Sequence, residues 1–260
     1  MIIRHCLSIF LLFPIISQAD QIILVADQWC PYNCESSSDK PGFMVEIAST
    51  IFSQAGHHIE YKVVPWKRAL QGVQRGIYQG AIAATPENSK FIQPNLIFPR
   101  EEQGRMHNVF FTLKSSVWRY QGPNTLDGQK VGLVGGYAFP EISSYAIAHP
   151  KKVDLQYTTG ELAVQENIRK LFFRRVSTVL EDESVFIYNA NALGMLDAFH
   201  IAGEEGSSTS SNNLYIGFTP FSKNPKSIEY ARILSDGMQQ LRKSGRLAQI
   251  MARYGLKDWR

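Results

Sequence analysis

The chain has 260 residues, of which 44% are hydrophobic, and it carries a formal net charge of +4. That length is enough for a large core, and it fits one large domain or two of about a hundred residues each. Its lysines and arginines are spread along the chain, which excludes the clustered basic surface of a nucleic-acid-binding protein.

Residues 1–19 have the pattern of an export signal. A short basic start is followed by an apolar run over residues 6–16, and Ala19 ends a set of small residues suited to cleavage. The run is shorter than the roughly 20 apolar residues that a membrane-spanning helix needs. We therefore expect cleavage after Ala19 and export of the mature protein.

Cys30 and Cys34, in WCPYNCE, are the cysteines that remain after such cleavage. Two cysteines in an exported protein are expected to pair. Two free thiols or half of a metal site are the alternatives. The metal site is disfavoured because no second Cys/His cluster has ligand spacing. We predict a disulfide between Cys30 and Cys34 and no bound metal.

An alternation of strands and helices follows the signal. Apolar runs predict buried strands, and apolar residues at helical spacing predict helices between them. The predicted elements of this first unit are strands at 22–26, 58–64 and 80–84 and helices at 43–52 and 67–74. Strands joined in this way form a parallel sheet, and the carboxyl ends of its strands are where ligands bind.

A second unit of the same kind lies in the middle of the chain. Its predicted elements are strands at 130–134, 152–156 and 176–180 and helices at 140–148 and 160–172. The polar stretch 203–213 predicts a surface loop. A strand at 214–218 and helices at 225–241 and 246–253 complete the chain. Residues 110–113 and 215–218 are predicted to connect the two units as hinge strands.

Several motifs occur together in a characteristic order. They are a GF-led first helix, a Trp-led second helix, a Thr-Pro-Glu turn, a strand that enters Gly-Gly, an Asp-Glu helix start, and a tail with GRLxxI and YGL. In this order they resemble the family 3 extracellular solute-binding proteins, the polar amino-acid-binding group of periplasmic binding proteins. The resemblance covers essentially the whole mature chain.

The resemblance implies an α/β fold with two lobes. Each lobe is a mixed, mainly parallel sheet flanked by helices, and two hinge strands join the lobes. Residues 20–109 and 216–260 are expected to form lobe 1, and residues 110–215 to form lobe 2. Such a protein closes on a small polar solute, an amino acid or a related organic molecule, and commonly serves an ABC permease.

The resemblance also implies which lobe 1 residues line the cleft. Asp27 ends the first strand, where the family often places a polar or acidic group. Trp29 and Trp66 lie at strand-to-helix turns and match aromatic wall positions, although core packing is the alternative for each ring. Ala84 and Thr85 lie in the segment that binds polar atoms of the solute.

Lobe 2 supplies a second set of candidates. Gly136 and Tyr137 match a turn whose backbone N–H groups can hold an anion. Asp182 matches the acidic residue that binds the solute amino group, and the alternative is that Asp182 is only a helix N-cap.

The sequence departs from the family pattern at Asn88. Amino-acid binders place an arginine there, which holds the α-carboxylate with two hydrogen bonds. Arg68 and Arg100 are candidates to supply a guanidinium from elsewhere, although ion pairing on the scaffold is the more usual role for both. The loss of this arginine puts α-amino-acid binding in doubt.

Three functions fit the sequence to different degrees. We expect a binding protein without catalytic residues or cofactor, acting as a monomer with an ABC permease. A periplasmic sensor that presents its closed form to a membrane receptor is the alternative. An enzyme resembling the cyclohexadienyl dehydratases is a weaker one, with Glu181, Asp182 and Glu183 as its acid–base candidates. No nucleophile elbow or phosphate loop supports an enzyme.

Overall fold

A computed structural model describes residues 19–86, 95–137, 139–206 and 212–260. The strands in these ranges are β1 (Gln21–Ala26), β2 (His58–Val63), β3 (Gly80–Ala84), β4 (Gly104–Arg105), β5 (Asn108–Leu113), β6 (Lys130–Val134), β7 (Asp154–Thr158), β8 (Thr178–Asp182), β9 (Phe199–Glu204) and β10 (Asn213–Phe218). The helices are α1 (Phe43–Gln54), α2 (Trp66–Arg75), α3 (Pro140–Ala148), α4 (Ala163–Phe172), α5 (Glu183–Ala192), α6 (Ser227–Lys243) and α7 (Arg246–Ala252), with 3₁₀ turns at Pro123–Leu126 and Leu196–Ala198.

The strands form two five-stranded sheets. Sheet 1 has the order β2-β1-β3-β10-β4, and sheet 2 has the order β7-β6-β8-β5-β9. In each sheet three strands are parallel, and one strand, β10 in sheet 1 and β5 in sheet 2, runs antiparallel to them. The edge strands β4 and β9 pair antiparallel with that strand. The predicted α/β class and its two mixed sheets flanked by helices are confirmed.

Helices cover both faces of sheet 1, because side chains alternate along its strands. Ile22 and Leu24 of β1 belong to a large cluster that includes the buried faces of α1, α6 and α7. Val25 faces the opposite side and packs with Trp66 and Leu70 of α2. Burial on both faces explains why β1 reads as a continuous apolar run.

The chain crosses between the sheets twice. It leaves sheet 1 after Arg105 and enters sheet 2 at Asn108, and it returns between Glu204 and Asn213. The predicted hinge strands at 110–113 and 215–218 each lie within one sheet, so the crossovers come earlier in the chain than we predicted. The lobe boundaries 20–109, 110–215 and 216–260 stay a prediction.

Three elements differ from the sequence prediction. The strand expected at 152–156 is Asp154–Thr158, and the strand expected at 176–180 is Thr178–Asp182. The predicted polar loop was wrong at its start, because Gly203 and Glu204 belong to β9 and pair with β5. In each case a neighbouring strand, and not local hydrophobicity, sets the bounds.

Some expectations lie outside the described residues. They are the signal segment up to residue 18, Asn88, and the middle of the polar loop. None of the helices in the described ranges combines the length and hydropathy needed to cross a bilayer.

Gly42 positions the Cys30–Cys34 loop on the start of α1. Its φ is +111°, and a Cβ there would lie 2.5 Å from the Asn33 Cα and would also press on the Tyr32 carbonyl oxygen. Gly56 has a φ of +81°, but no atom lies within 4 Å of the position that a Cβ would take there. Gly56 therefore has a positive φ without the contact and serves as the reference for backbone strain. Gly42, with a ψ of 142°, lies in a region that is more costly for a side chain.

We predict that Gly56→Ala lowers the free energy of unfolding by about 1 kcal/mol through backbone strain. Gly42→Ala should lower it by at least about 2 kcal/mol, because the added methyl also displaces the loop. Denaturant unfolding of both variants measures the difference. Equal losses would show that the loop does not depend on close packing at Gly42.

Candidate functional site

A short loop carries two aromatic rings from the end of β1 to the start of α1. Cys30 and Cys34 are joined by a disulfide with a Cα–Cα distance of 4.8 Å, as predicted. The Trp29 N–H donates to the Asn33 carbonyl at 2.7 Å and closes the turn. The rings of Trp29 and Tyr32 stack with centroids 4.4 Å apart. The disulfide-closed loop therefore presents one aromatic pair as a unit.

Two carboxyl groups face this loop from sheet 2. Glu181 and Asp182 are the last residues of β8, and their exposed fractions are 2% and 1%. The Asp182 side chain caps α5, because its Oδ1 accepts from the Val185 N–H at 3.1 Å. Its Oδ2 accepts from the His107 N–H at 2.7 Å. Asp182 is thus an N-cap, and its contact with a solute stays a prediction.

Three hydrogen bonds join the two lobes at the cleft. The Trp29 Nε1–H donates to Glu181 Oε1 at 3.0 Å. The Tyr32 hydroxyl shares its one proton between Asp182 Oδ2 at 3.1 Å and the Arg105 carbonyl oxygen at 2.7 Å. In the opposite direction, the Tyr137 hydroxyl of lobe 2 donates to Asp27 Oδ2 of lobe 1 at 3.0 Å. Each bond pairs an aromatic donor of one lobe with a carboxyl group of the other.

Tyr137 is central to this contact. It follows β6 and the Gly135–Gly136 turn, and its ring packs against all three core clusters. The Trp29 and Tyr137 rings meet edge to face with centroids 6.1 Å apart. The same side chain therefore touches both lobes and fixes the orientation of Asp27.

The electrostatics of the cleft are unusual. The pKa of Glu181 is raised to about 8, chiefly by burial. The hydrogen bonds from Trp29 and the Asp182 N–H lower it, and the neighbouring carboxyl groups of Asp182 and Asp27 raise it. Burial likewise raises the pKa of Asp27 and of Asp182 to about 6. Among the residues that the structure describes, no lysine, arginine or histidine side chain forms an ion pair with any of the three.

Trp66 lies at the other side of the cleft. It begins α2, is 7% exposed, and packs in a cluster with Ala84 and Leu70. Its Cδ1 lies 3.8 Å from the position that a Cβ at Gly136 would take, so the ring borders the lobe 2 turn. Packing accounts for most of its surface, and its role as a solute wall stays a prediction.

The end of β3 has an irregular backbone. Ala83 has a φ of +62°, which is strained for a residue with a Cβ. The register with β10 shifts at the same point, between Tyr215 and Gly217. Ala84 and Thr85 follow and are both buried. Such strain is common at ligand sites, and it supports the predicted contact of this segment with a solute.

The structure brings Asp27, Trp29, Tyr137 and Asp182 together as the sequence suggested. The Arg68 side chain is exposed on the first turn of α2, and its contact with a solute stays a prediction. The backbone N–H of Arg100 binds Ser235 Oγ on α6, which places that residue on the scaffold.

Two cleft residues were absent from the predicted binding set. Tyr32 is three residues after Trp29 in a disulfide-closed turn, and that spacing was the signal that could have identified it. Glu181 was considered only as an acid–base candidate, because the strand was expected to end at residue 180.

A cavity of ≈ 270 Å³ lies between the disulfide-closed loop and helices α4 and α5. Gln28, Cys30 and Glu35 line it from lobe 1, and Gln165 and Tyr188 line it from lobe 2. The lobes are therefore in direct contact at the three hydrogen bonds and separated beside them. No group of His, Cys, Asp or Glu side chains in the described part of the chain is arranged to hold a metal ion.

Comparison with solved structures shows the same two-lobed fold. A solved structure described under glutathione import in Gram-positive bacteria via GshT and the cystine ABC importer TcyBC of Streptococcus mutans matches with a TM-score of 0.76 and 17% identity over 92% of this chain and 97% of that one. A histidine kinase sensor domain with similarity to periplasmic binding proteins matches with a TM-score of 0.71 and 19% identity over 92% and 98%. The amino acid ABC transporter substrate-binding protein AbpA of Streptococcus pneumoniae, bound to L-arginine, matches with a TM-score of 0.68 and 20% identity over 91% and 94%.

At these identities the likeness concerns the fold. A search of curated protein sequences found no match. The sequence model of the bacterial extracellular solute-binding proteins, family 3, matches residues 22–257, which is nearly the whole described chain. The chain therefore belongs to family 3 of the bacterial extracellular solute-binding proteins.

Proposed function

We propose that this protein is a periplasmic receptor that captures a small polar solute between its lobes and delivers it to an ABC permease. The observation that carries this proposal is the set of reciprocal hydrogen bonds Trp29–Glu181, Tyr32–Asp182 and Tyr137–Asp27. All six residues lie at or just after the carboxyl ends of β1, β6 and β8, where α/β sheets bind ligands.

These bonds give closure a physical basis. The chain passes between the sheets at residues 106–107 and again between Glu204 and Asn213, and two such connections allow lobes to move by a hinge. A solute that contacts both lobes stabilises the closed arrangement by its differential affinity for it. The aromatic donors then add their hydrogen bonds in the closed state only.

A sensor that presents its closed form to a membrane receptor uses the same cleft. The similarity to a histidine kinase sensor domain favours this second candidate. The two functions differ in the membrane protein that recognises the closed lobes. A permease and an ATPase encoded beside this gene would favour transport, and an adjacent signalling protein would favour sensing.

The family and its structural neighbours are binding proteins, and we assign no catalytic residue. The buried carboxyl groups of the cleft are explained by contacts between the lobes, which a receptor needs. We infer export to the periplasm with cleavage after Ala19, and a monomer that needs no cofactor.

A thermal-shift screen tests the receptor function. Amino acids, amines, organic acids and small glycans are added to the mature protein at high concentration. We expect at least one to raise the melting temperature, because a ligand at a hundredfold excess over its Kd stabilises the folded state by about 2.7 kcal/mol. The proposal is wrong if no solute class shifts the melting temperature while the protein is folded by circular dichroism.

A further inference from the structure

We propose that the solute is a small organic cation, an amine or a guanidine, whose charge is held by Glu181 and Asp27 and which needs no carboxylate of its own. This inference rests on the proposed receptor function and names the chemistry of its ligand. It follows from the charge balance of the cleft, from the accounting of its hydrogen bonds and from its aromatic rings.

The charge balance is the first argument. Asp27, Glu181 and Asp182 come from both lobes; Glu181 and Asp182 are buried where the lobes meet, and Asp27 is half-buried there. A buried carboxylate without a counter-charge is costly and tends to take up a proton. The described residues supply no cationic side chain to any of the three. A cationic solute would supply the missing charge.

The hydrogen bonds within the protein show which carboxyl oxygens are free to bind a solute. Asp182 accepts from Val185, His107 and Tyr32, so its oxygens are occupied by the protein. Glu181 accepts both of its bonds, from Trp29 and from the Asp182 N–H, on Oε1. Its Oε2 receives no bond from the described residues. Glu181, and not the family-matched Asp182, has an oxygen to offer.

A third acceptor lies beside Asp27. The Asn33 side chain is fully buried, and its Nδ2 donates to the Asp27 carbonyl oxygen at 2.7 Å. Its Oδ1 is buried without a hydrogen-bond partner among the described residues. An unsatisfied buried acceptor costs about 1–3 kcal/mol. Glu181 Oε2, Asp27 and Asn33 Oδ1 are all acceptors, so the occupant that fits them is rich in N–H donors.

The aromatic rings favour the same occupant. Trp29 and Tyr32 are stacked, and the Tyr137 ring meets Trp29 at its edge. The faces of tryptophan and tyrosine attract a cation, more strongly where water is excluded. An anionic solute would meet three carboxyl groups and these negative ring faces, with no described guanidinium in contact with them.

Matched ligand pairs test the inference by calorimetry. The pairs are phenethylamine with L-phenylalanine, putrescine with L-ornithine, and agmatine with L-arginine, and the members of each pair differ only by the α-carboxylate. We expect at least one decarboxylated member to bind, and to bind at least as tightly as its amino acid. Succinate and glucose serve as anionic and neutral probes.

Glu181→Gln should weaken binding of that amine at least tenfold, because the charge is lost while the shape is kept. Glu166→Gln, a change on α4 of the same lobe and away from the three carboxyl groups, should leave the affinity unchanged. The melting temperature without solute reports whether each variant folds. Equal affinities in wild type and Glu181→Gln would overturn the assignment to Glu181.

The outcomes separate this inference from the receptor function. An amino acid that binds more than tenfold tighter than its amine would show that the site recognises the carboxylate, and the inference would be wrong while the receptor function stands. Binding of succinate or glucose without binding of any amine would also overturn the inference and leave the receptor function standing. If no amine binds while another solute of the thermal-shift screen does, the inference is wrong and the receptor function stands.

Binding of the amine should also depend on pH. Glu181 must be ionised to hold a cation, and burial raises its pKa to about 8. The affinity for the amine should therefore rise by up to about tenfold per pH unit between pH 6 and about pH 8 and then level off. Asp27 and Asp182 also face Glu181, and their pKa values are about 6. Tyr32 and Tyr137 stay neutral, because burial raises the pKa of each well above its usual value. If Glu181→Gln shows the same rise in affinity above pH 7, the pH dependence comes from a group other than Glu181.

Discussion

The structure depends on carboxyl groups that are buried at the boundary between two lobes. Asp27 belongs to lobe 1, whereas Glu181 and Asp182 belong to lobe 2. Each of these carboxyl groups accepts a hydrogen bond from an aromatic side chain of the opposite lobe. Burying a carboxyl group is unfavourable unless donors surround it. Here one donor to each carboxyl group arrives only when the lobes meet, so part of the cost of burial depends on closure.

The rest of the fold serves this arrangement. β1 and β8 end at the cleft, and they place Asp27 and Glu181 on facing edges of two sheets. The Cys30–Cys34 disulfide and the close approach of Gly42 hold the loop that carries Trp29 and Tyr32. Lobe 2 contributes Tyr137 from the turn after β6. The disulfide-closed loop of lobe 1 and the Gly135–Gly136 turn of lobe 2 thus meet across the boundary between the lobes.

Hydrophobic periodicity predicted most of the fold, because the buried faces of β1, α1 and α6 are set by local sequence. It was less able to predict bounds that depend on a distant strand. β8 extends to Asp182 because it pairs with β5, where Glu181 lies opposite Val109. That extension moves Glu181 from a turn into the sheet and turns it toward Trp29. β9 was missed for the same reason, since its glycine and polar residues are held by pairing with β5.

The candidate site was partly predictable. Asp27, Trp29, Tyr137 and Asp182 were placed in the cleft by resemblance to the family, and the structure brings them together. Which carboxyl group has a free oxygen could not be read from the sequence, because Asp182 is occupied by donors from three separate elements. Trp66 matches a family wall position, yet its ring lies mostly in the core of lobe 1.

The central claim is that three aromatic donors hold the lobes closed over a solute. Small-angle X-ray scattering of a triple variant, Trp29→Phe, Tyr32→Phe and Tyr137→Phe, tests it most directly, because an aromatic ring remains at each position and the donors are lost. Trp118→Phe is the control, since the Trp118 Nε1–H donates to the Thr125 carbonyl at 2.8 Å within lobe 2. With a saturating solute, the wild type and the control should contract to a smaller radius of gyration, and the triple variant should stay expanded. Equal contraction of all three would contradict the account.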